Sequence, residues 1–435
     1  MDYDTFLQEF YRLERFGIKL GLDVITDLLH RVGDPHRHFP AVHVTGTNGK
    51  GSVCAFVSSI LREAGYRVGL YTSPHLIRFN ERIRVNGQEI RDEDVVRLYG
   101  ELKPHMVAIA AENPVHHPTF FEVATALAFS HFAAERIDIG VVEVGMGGRY
   151  DATNVLDPAV SVVTRVGLEH AEHLGRTVRR IAREKSGIIK NGVPAVTVDQ
   201  DALPEIEARC RLTGSALAVV GRDVRFRRFS RGWQGQRVCL EDGGSLEVEI
   251  PLLGPHQAEN AALAYAAVSA LQSRDWKITE TAVKDGFRKA RWPARLDVVR
   301  REPTVIVDGA HNPPAAQALA GALSELLEGQ KVTLLLGVMA DKDLDGMARA
   351  LVPLADRLVA VRSRVDRAAS PDQVVSAFRA AAKAAGLPDP AAEVIPNVRD
   401  AVLRVLDQAD PSETLLITGS IYVAGEALEA LGDAR

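Results

Sequence analysis

The sequence predicts an α/β protein made of two open, doubly wound α/β domains. Short apolar runs rich in β-branched residues recur along the chain, and each run ends in glycine or a polar turn. Helix-like stretches separate the runs, which is typical of parallel strands covered on both faces. A length of 435 residues also exceeds one ordinary domain, so two or three domains are expected.

Nine apolar runs are candidate strands, five in the first half of the chain and four in the second. They are AVHVTG (41), RVGLYTS (67), IDIGVVEVG (137), AVSVVTRVG (159), VPAVTV (193), TVIVDG (304), KVTLLLGV (331), RLVAVRS (357) and TLLITGS (414). Because strands alternate with helical stretches in both halves, we expect each half to form its own open sheet.

The segment from about 215 to 250 follows a different pattern. Its residues alternate with a period of two and are broken by turn residues, which predicts a small antiparallel β appendage. The arginines of this segment are better explained by a solvated strand face than by nucleic-acid binding. A proline in RWPARLD (291–297) interrupts the pattern and a new strand series follows, so we predict domains at 1–292 and 293–435.

Composition and charge restrict the location and the partners of the protein. A net charge of −5 gives no reason to expect nucleic acid or a membrane as a partner. The acidic start lacks a signal-peptide pattern, and the longest apolar run, AALAYAAVSAL from 261, is too short to span a bilayer. The three cysteines, Cys54, Cys210 and Cys239, are too few and too widely spaced for a disulfide framework or a zinc site. We therefore predict a cytoplasmic protein in which Cys54 is a small buried hydrophobe.

The stretch VTGTNGKGSV (44–53) predicts a phosphate-binding loop of an unusual kind. A Walker A loop reads G-x-x-x-x-G-K-[ST], but here Gly46 lies only three positions before Gly49. A further glycine also lies between Lys50 and Ser52. A strand precedes the loop and a helix-like stretch follows, so backbone N–H groups and a helix N-terminus would converge on an anion. The alternative is a tight turn with an incidental lysine, but the density of glycine, lysine and serine favours a nucleotide site.

The loop GTNGKGS resembles the ATP loop of the Mur ligase superfamily, in its folylpolyglutamate synthase and dihydrofolate synthase branch. Other blocks resemble that family in the same order, from about residue 10 to the C-terminus. They are YTSPHLIRFNERI (71–83), EVGMGGRYDATN (143–154), REKSGIIK (183–190), VDGAHNP (307–313), LGVMADKD (336–343) and GSIYVAGE (419–426). The resemblance makes the first domain a P-loop ATP-binding domain and the second a Rossmann-like ligase domain.

The resemblance implies an ATP-dependent carboxylate–amine ligase of folate biosynthesis and one-carbon metabolism. Family members use ATP to convert a carboxylate into an acyl phosphate, from which the amine of glutamate displaces phosphate. The expected substrates are ATP, L-glutamate and an acceptor that is dihydropteroate, a folate or both. We expect two Mg²⁺ sites that screen the negative charges, and a monomer whose two domains close over a cleft. The ATP contacts implied for the loop are Thr47, Asn48, Gly49, Lys50, Gly51 and Ser52.

Four positions match metal ligands of the family: Ser73, Glu143, His170 and Lys185. Glu143 ends an apolar strand, so a magnesium ligand and a solvated cap are equally compatible with the residue pattern alone. Hydroxyl oxygens suit Mg²⁺, although Ser73 would by itself be a turn residue before proline. The lysine that matches Lys185 is carbamylated in relatives, which turns a cation into an anionic oxygen ligand, whereas most lysines are simply solvated.

His170 departs from the family pattern in its neighbour, because Glu169 stands where the family commonly has aspartate. This puts a function for the acidic residue in doubt but leaves that of His170 intact. Together with Lys50, the three residues Glu143, His170 and Lys185 are the predicted catalytic groups.

In the second half, Asn260, Arg295, Asp308 and His311 match positions that contact ATP in the family. Arg295 lies at the predicted hinge and could reach a phosphate from between the domains. The family often has Pro-Gly-Arg-Phe at this site, where this chain has alanine before the arginine and leucine after it. Asp308 ends a strand and could bind ribose hydroxyls. His311 could line the nucleotide or a second cation, or could simply satisfy local backbone groups.

The acceptor contacts implied by the resemblance fall in three segments. They are Gly17, Ile18, Lys19 and Leu20; Thr119, Phe120, Phe121 and Glu122; and Tyr150, Asp151 and Ala152. The two phenylalanines could form an aromatic wall for a flat pterin ring, or could belong to the core. Asp151 could contact the pterin or support the magnesium site.

Two other functions are compatible with parts of the pattern. A Mur ligase of peptidoglycan synthesis would need a nucleotide-sugar domain before the ATP loop, and only 45 residues precede Gly46. A P-loop NTPase that acts as a switch would need neither a second nucleotide-contacting domain nor Lys185. Glutamate-dependent phosphate release would separate the ligase from the switch.

Overall fold

The computed structural model contains two largely parallel sheets, each covered by helices, and one small antiparallel sheet. The structure describes residues 1–17, 19, 21–168 and 170–433. The two doubly wound α/β units that the sequence predicts are confirmed. The domain boundary near residue 293 stays a prediction.

The first sheet contains eight strands of the described chain. In chain order they are β1 (Ala41–Thr45), β2 (Val68–Tyr71), β3 (Ile83–Val85), β4 (Gln88–Glu89), β5 (Ile139–Glu143), β6 (Pro158–Val163), β7 (Ala195–Val198) and β8 (Leu217–Val220). Across the sheet their order is β4-β3-β2-β5-β1-β6-β7-β8, and only β3 and β4 run antiparallel to their neighbours.

Strand β1 lies at the point where the chain changes direction across this sheet. The chain leaves β1 to form β2 and β5 on one side, and then forms β6, β7 and β8 on the other. In open α/β sheets such a switch point creates a crevice at the carboxyl ends of the strands, where ligands bind. The predicted phosphate loop follows β1 directly and so lies at this crevice.

Helices cover both faces of the first sheet. They are α1 (Tyr3–Tyr11), α2 (Asp23–Arg31), α3 (Lys50–Glu63), α4 (Asp92–Glu112), α5 (Phe120–Ala134), α6 (Ala171–Leu174), α7 (Val178–Lys185), α8 (Leu203–Thr213), α9 (Pro255–Gln272) and α10 (Glu280–Lys289). Side chains of α3, α9 and α10 form a core with Val42 and Val44 of β1. Side chains of α1, α2, α4 and α5 form a second core on the opposite face, around Ala41. Because side chains alternate along a strand, His43 and Thr45 of β1 lie on this second face.

The antiparallel appendage consists of β9 (Arg225–Gly232), β10 (Gly235–Glu241) and β11 (Ser245–Ile250). It begins about ten residues later than the sequence predicts. The apolar run at 217–220 instead forms β8, which pairs in parallel with β7 at the edge of the large sheet. The apolar face of the appendage packs into the same core as α9.

Within the described residues, the second sheet has six strands, with the helices of the C-terminal half around it. The strands are β12 (Asp297–Arg301), β13 (Thr304–Val307), β14 (Val332–Leu336), β15 (Ala355–Arg362), β16 (Ala391–Asn397) and β17 (Thr414–Thr418). The helices are α11 (Pro313–Leu326), α12 (Leu344–Leu351), α13 (Pro371–Ala384), α14 (Val398–Gln408) and α15 (Ile421–Asp433). The strand order is β12-β13-β17-β14-β15-β16, in which only β12 is antiparallel.

Two further predictions can be compared with the described residues. None of the helices there combines the length and the apolarity needed to cross a lipid bilayer. All three cysteines are buried free thiols, and Cys54 of α3 lies fully buried in the core, as predicted.

Candidate active site

A cavity lies where the carboxyl edge of the first sheet meets the start of the second. Residues from the phosphate loop, the turn after β2, the end of β5 and the linker before β12 line it. They include Gly51, Ser73, His75, Glu143, Trp292 and Arg295. Four of the predicted site residues, Gly51, Ser73, Glu143 and Arg295, therefore share one cavity although they are far apart in sequence.

The phosphate loop needs glycine at two positions. Gly46 has a φ of +147°, and a Cβ atom there would lie 1.7 Å from Thr164 Oγ1. Gly49 has a φ of +92°, and its Cβ would lie 2.4 Å from Asn260 Oδ1. L-residues with a side chain rarely adopt such angles, so the loop shape depends on both glycines. Helix α3 begins at Lys50, directly after the loop, and directs its N-terminus there.

The segment after β6 holds this loop in place. The backbone N–H of Thr47 donates to the carbonyl of Arg165 at 2.7 Å, and Thr164 Oγ1 donates to the carbonyl of Asn48 at 2.8 Å. The backbone N–H of Gly167 donates to Thr47 Oγ1 at 3.0 Å. The sequence patterns alone do not predict these supports. A usable indication is the polar pair Thr164-Arg165, which follows β6 at the same sheet edge as the loop.

Lys50 and Ser52 lie at the start of α3. Lys50 Nζ donates to the carbonyls of Gly46 and Thr47, each at 3.1 Å, so its ammonium group lies over the loop. Ser52 is buried in the first turn of the helix. A cation and a hydroxyl thus stand beside the helix N-terminus, the combination that binds phosphate.

Glu143 is a buried carboxylate at the end of β5. Its Oε2 accepts the backbone N–H of Ser73 at 3.2 Å, and among the described residues it has no salt-bridge partner. Burial raises the pKa of Glu143, while the nearby charges of Lys50 and Arg295 oppose that rise. A buried carboxylate that lacks a direct counter-ion and lines a cavity is typical of a functional site.

Lys185 ends α7 and is almost fully buried, at 2% exposure. Its Nζ donates to the carbonyl of Gly46 at 2.7 Å, so this lysine contacts the phosphate loop from below. The structure therefore brings Lys185 to the loop, 139 residues away in sequence. His170 is exposed, has a φ of +48° and directly precedes the short helix α6. Glu169 lies outside the described residues.

The oxygen ligands of this cavity fit a hard divalent cation. The Ser73 hydroxyl and the Glu143 carboxylate line one cavity, and magnesium prefers such oxygen ligands. No group of three or more His, Cys, Asp or Glu side chains forms a metal site within the described ranges. Of the four predicted magnesium ligands, only Glu143 and His170 are residues of these four types. The predicted magnesium site therefore does not need a cluster of three.

The C-terminal half approaches the loop through two asparagines. The Asn48 and Asn312 side chains exchange amide hydrogen bonds at 3.2 and 3.4 Å, which joins the phosphate loop to the start of α11. Asn260 of α9 touches Gly49, as noted above, and its amide donates to Gln257 Oε1 at 3.0 Å. Asn312 and Gln257 were not predicted. Asn312 lies within the block VDGAHNP, and Gln257 lies three residues before Asn260, which matches an ATP-contacting position of the family.

Asp308 organises the linker that carries Arg295. Its two carboxylate oxygens accept the backbone N–H groups of Leu296 at 2.7 Å and Ala310 at 2.8 Å. Burial raises the pKa of Asp308, and the charge of Arg295 opposes that rise. Ala294 and Leu296 both have positive φ, so the arginine lies in a strained turn, as expected where the family has glycine. Arg295 itself lines the cavity.

His311 contacts its own backbone in the described structure. Its Nδ1 lies 2.9 Å from the carbonyl of Gly309. A carbonyl only accepts hydrogen bonds, so Nδ1 carries the proton. The interpretation of His311 as a residue that satisfies local backbone therefore has direct structural support, and a second contact with a ligand remains a hypothesis.

The segment from Thr119 to Glu122 forms the start of α5. Thr119 and Glu122 make a capping box, in which the threonine hydroxyl and backbone N–H both donate to Glu122 Oε2 at 2.8 Å. Phe121 packs against Gly145, where a Cβ atom would lie 2.4 Å from the ring. Phe120 stacks with Tyr11 at a centroid distance of 5.7 Å. Both phenylalanines are partly buried, so they belong to the core and also border its surface.

Arg82 is a buried cation that the sequence analysis missed. Its Nε donates to His75 Nδ1 at 2.8 Å, and its guanidinium lies 5.3 Å from the centroid of the Phe120 ring. Within the described ranges, no carboxylate lies within salt-bridge distance of it. Arg82 lies in the block YTSPHLIRFNERI, which resembles the family. Periodicity in the sequence, however, does not reveal which arginine of this region is buried.

The other predicted acceptor residues lie in two loops. Lys19 Nζ donates to the carbonyls of Val115 and His117 at 2.8 and 2.9 Å, which joins the loop after Gly17 to the one before α5. Ile18 and Leu20 lie outside the described residues. Tyr150 is exposed, whereas Asp151 and Ala152 are buried.

Family models match most of the chain. Residues 44–268 match the model described as the Mur ligase middle domain, and residues 294–421 match the one described as the Mur ligase, glutamate ligase domain.

Two curated relatives are similar over almost the whole chain. A probable bifunctional folylpolyglutamate synthase/dihydropteroate synthase of Haloferax volcanii is 40% identical over 98% of this chain, which spans 50% of that relative's length. A dihydrofolate synthase/folylpolyglutamate synthase of Bacillus subtilis is 34% identical, and the match covers 96% of each chain.

Solved structures of folylpolyglutamate synthases are also similar to this chain over almost its whole length. Mycobacterium tuberculosis folylpolyglutamate synthase complexed with ADP superimposes with a TM-score of 0.90 at 34% identity, covering 98% of both chains. Escherichia coli FolC in complex with DHPP and ADP gives a TM-score of 0.88 at 30% identity, covering 100% of this chain and 99% of that one. The chain therefore belongs to the Mur ligase superfamily, in the branch of the folylpolyglutamate and dihydrofolate synthases, which are ATP-dependent glutamate ligases.

Proposed function

We propose that this chain binds ATP between its two halves and joins L-glutamate to the carboxylate of dihydropteroate, of a tetrahydrofolate, or of both. The observation that carries the proposal is the shared cavity of the phosphate loop, Ser73, Glu143 and Arg295. It gives a nucleotide site one wall from each half of the chain, with the Arg295 guanidinium and the oxygen atoms of Ser73 and Glu143 in the lining. The ADP in the M. tuberculosis and E. coli structures and the DHPP in the latter support the assignment of ligands.

The phosphates of ATP would lie on the loop from Thr47 to Ser52 and the N-terminus of α3. Lys50 would exchange its contacts with the loop carbonyls for contacts with phosphate oxygens. Arg295 would approach from the linker, so that two cations flank the phosphate being transferred. The adjacent Asn260, Asp308 and His311 would bind the rest of the nucleotide.

Magnesium would be held by Ser73 and Glu143, with His170 and a carbamylated Lys185 as further ligands. When bound, it would screen the repulsion between the acceptor carboxylate and the phosphates and stabilise the charge of the transition state. Two such ions are proposed by family resemblance. The burial of Lys185 and its contact with Gly46 support a function in the loop, because a solvated lysine would have neither.

The acceptor would lie beside the start of α5. Phe120 and Phe121 border the partly buried surface there, and the loops of Lys19 and Asp151 flank it. The acceptor carboxylate would attack the terminal phosphate of ATP to give an acyl phosphate and ADP. The amine of glutamate would then attack the acyl carbon, forming the amide and releasing phosphate. Exclusion of water by closure of the two halves would protect the acyl phosphate from hydrolysis.

We further propose domains at 1–292 and 293–435 and a monomeric, cytoplasmic enzyme. The assignment to the cytoplasm is supported by the proposed substrates, ATP and a pterin, which are small molecules of that compartment. A cleft formed within one chain needs no second subunit, which supports the monomer.

The experiment is phosphate release with ATP, Mg²⁺ and L-glutamate, with dihydropteroate and tetrahydrofolate as parallel acceptors. Omission of glutamate and omission of acceptor are the controls. Turnover with both acceptors would identify a bifunctional enzyme, and turnover with one would assign that single step. Phosphate release that is indifferent to glutamate and to acceptor would contradict the proposal and favour an NTPase.

A further inference from the structure

A buried chain of hydrogen bonds runs from the middle of β1 to Asp151. His43 Nε2 lies 2.8 Å from Thr153 Oγ1, and that hydroxyl donates to Asp151 Oδ1 at 2.5 Å. The backbone N–H of Thr153 donates to the same oxygen at 3.0 Å, and that of Met146 donates to Asp151 Oδ2 at 2.9 Å. His43 and Thr153 have no solvent exposure, and Asp151 has 6%.

The chain has a definite direction. A threonine hydroxyl carries one proton, and here Asp151 receives it, so the hydroxyl must accept from His43 Nε2–H. Burial lowers the pKa of His43 to about 3, so the imidazole is neutral near neutral pH and its Nδ1 carries no proton. Nδ1 is buried and has no hydrogen-bond partner among the described residues. An unpartnered buried polar atom costs stability, and an aliphatic residue at this position would avoid that cost. We therefore infer that His43 acts through the hydrogen bond of its Nε2.

A second contact from β1 reaches the same loop. Thr45 Oγ1 donates to the carbonyl of Gly147 at 2.6 Å. Thr45 lies two residues after His43, on the same face of the strand. The strand that ends in the phosphate loop therefore also holds the loop at 144–153 at two points.

Asp151 retains limited capacity for a ligand. A carboxylate has about four acceptor sites, and three donors form hydrogen bonds with Asp151, while the backbone N–H of Gly145 also interacts with it. The direction in which the Asp151 carboxylate presents its oxygens depends on its rotation about the Cβ–Cγ bond. The Thr153 hydroxyl, oriented by His43, is the only side-chain donor among those three.

We propose that His43 is a positioning residue for the acceptor: through Thr153 it fixes the Asp151 carboxylate and the loop at 144–153 against which the acceptor binds. This inference rests on the proposed function, because it takes the acceptor to lie beside Asp151. It assigns His43 no contact with the substrate. It also predicts that loss of the Nε2 donor impairs acceptor binding more than nucleotide binding.

Three substitutions separate the Nε2 donor from the rest of the ring. His43→Gln retains an N–H donor near the position of Nε2. His43→Asn retains a polar group near Nδ1 only, and His43→Leu retains similar bulk without either. Thr213→Val serves as the control, because it removes a buried hydroxyl that bonds only to residues around the end of α8.

The readout is the KM for acceptor, the KM for ATP and kcat, with melting temperature measured for each variant. We expect His43→Asn and His43→Leu to raise the acceptor KM about tenfold, the equivalent of about 1.4 kcal/mol, with the KM for ATP unchanged. His43→Gln should stay within about twofold of wild type, as one donor replaces another. Thr213→Val should lower the melting temperature without altering either KM.

Two results would overturn the inference. One is an equal acceptor KM for the glutamine, asparagine and leucine variants, and the other is a parallel rise in the KM for ATP. If a His43 variant fails to fold, Thr153→Val and Thr153→Ser provide the same contrast at the next residue of the hydrogen-bond chain. Of these two, only serine keeps the hydroxyl. Failure of the proposed function is distinguishable, because the wild-type chain itself would then show no glutamate-dependent phosphate release.

Discussion

Replacing Gly49 by alanine tests whether the phosphate loop owes its shape to the absence of a side chain. The added Cβ would lie 2.4 Å from Asn260 Oδ1, about 1 Å closer than ordinary van der Waals contact. The φ of +92° alone would cost an alanine about 1–2 kcal/mol. The clash adds about 1–3 kcal/mol, as for other over-packed sites. We therefore expect Gly49→Ala to lower the free energy of unfolding by about 2–5 kcal/mol.

The same change should weaken nucleotide binding, because the loop can relieve the clash only by moving its N–H groups. Each 1.4 kcal/mol of lost interaction weakens binding about tenfold, so ADP affinity should fall by at least about that factor. Isothermal calorimetry with ADP measures the affinity, and denaturant unfolding measures the stability.

Gly65 provides a matched control at the other end of the same helix. Its φ is +90°, but a Cβ atom there would have no heavy atom within 4 Å. Gly65→Ala should therefore cost only the conformational part, about 1–2 kcal/mol, and leave ADP affinity unchanged. The reasoning would be refuted if Gly49→Ala bound ADP like wild type and lost no more stability than Gly65→Ala.

Three further predictions concern buried polar groups. Glu143→Gln should reduce the rate of ligation by about 10²–10³-fold. The same change should raise the melting temperature at pH 7.5, because burial raises the pKa of Glu143 and its ionised form destabilises the fold. The pKa of His43 falls to about 3 in the fold from an ordinary 6.5, so below pH 6.5 the unfolded chain binds a proton that the native state does not. Stability should thus be complete above pH 6.5 and decline as pH falls, and His43→Gln should lessen the decline. Thr119→Ala should cost about 1 kcal/mol of stability through the lost capping box, with ADP affinity unchanged.

Each of these predictions has an opposing outcome. A Glu143→Gln enzyme with full activity would remove the carboxylate from the mechanism, and a lower melting temperature would mean that the charge stabilises the fold. Parallel pH profiles for wild type and His43→Gln would show that His43 titrates normally. A Thr119→Ala variant with unchanged stability would mean that the cap is dispensable.

Much of the fold followed from the sequence because the buried strands have simple patterns. The nine predicted strands lie inside parallel sheets, where both faces are apolar. The strands that were missed lie at or near sheet edges. β3 and β4 are three and two residues long, and β16 is partly exposed and includes a proline. One indication was available and unused: Asn86-Gly87, a typical hairpin turn, connects β3 to β4.

The candidate site was predictable where a motif carries it, and not where it depends on contacts between distant segments. The phosphate loop, Ser73 and Glu143 follow from their blocks and from their positions at strand ends. The contacts of Thr164 and Trp292 with the loop do not, since both residues lie more than a hundred positions away in sequence. A Cβ atom at Gly51 would lie 2.8 Å from Trp292 Nε1. No periodicity distinguishes a buried Arg82 from its exposed neighbours.

The central claim is that the cavity between the two halves transfers phosphate from ATP to the acceptor carboxylate before glutamate enters. An acceptor whose carboxylate carries heavy oxygen tests this most directly, by mass spectrometry of the inorganic phosphate released in a complete reaction. We expect one heavy oxygen to pass from the acceptor to each phosphate, because the acyl phosphate bond breaks between carbon and oxygen. Glutamate-dependent product formation with unlabelled phosphate would contradict it.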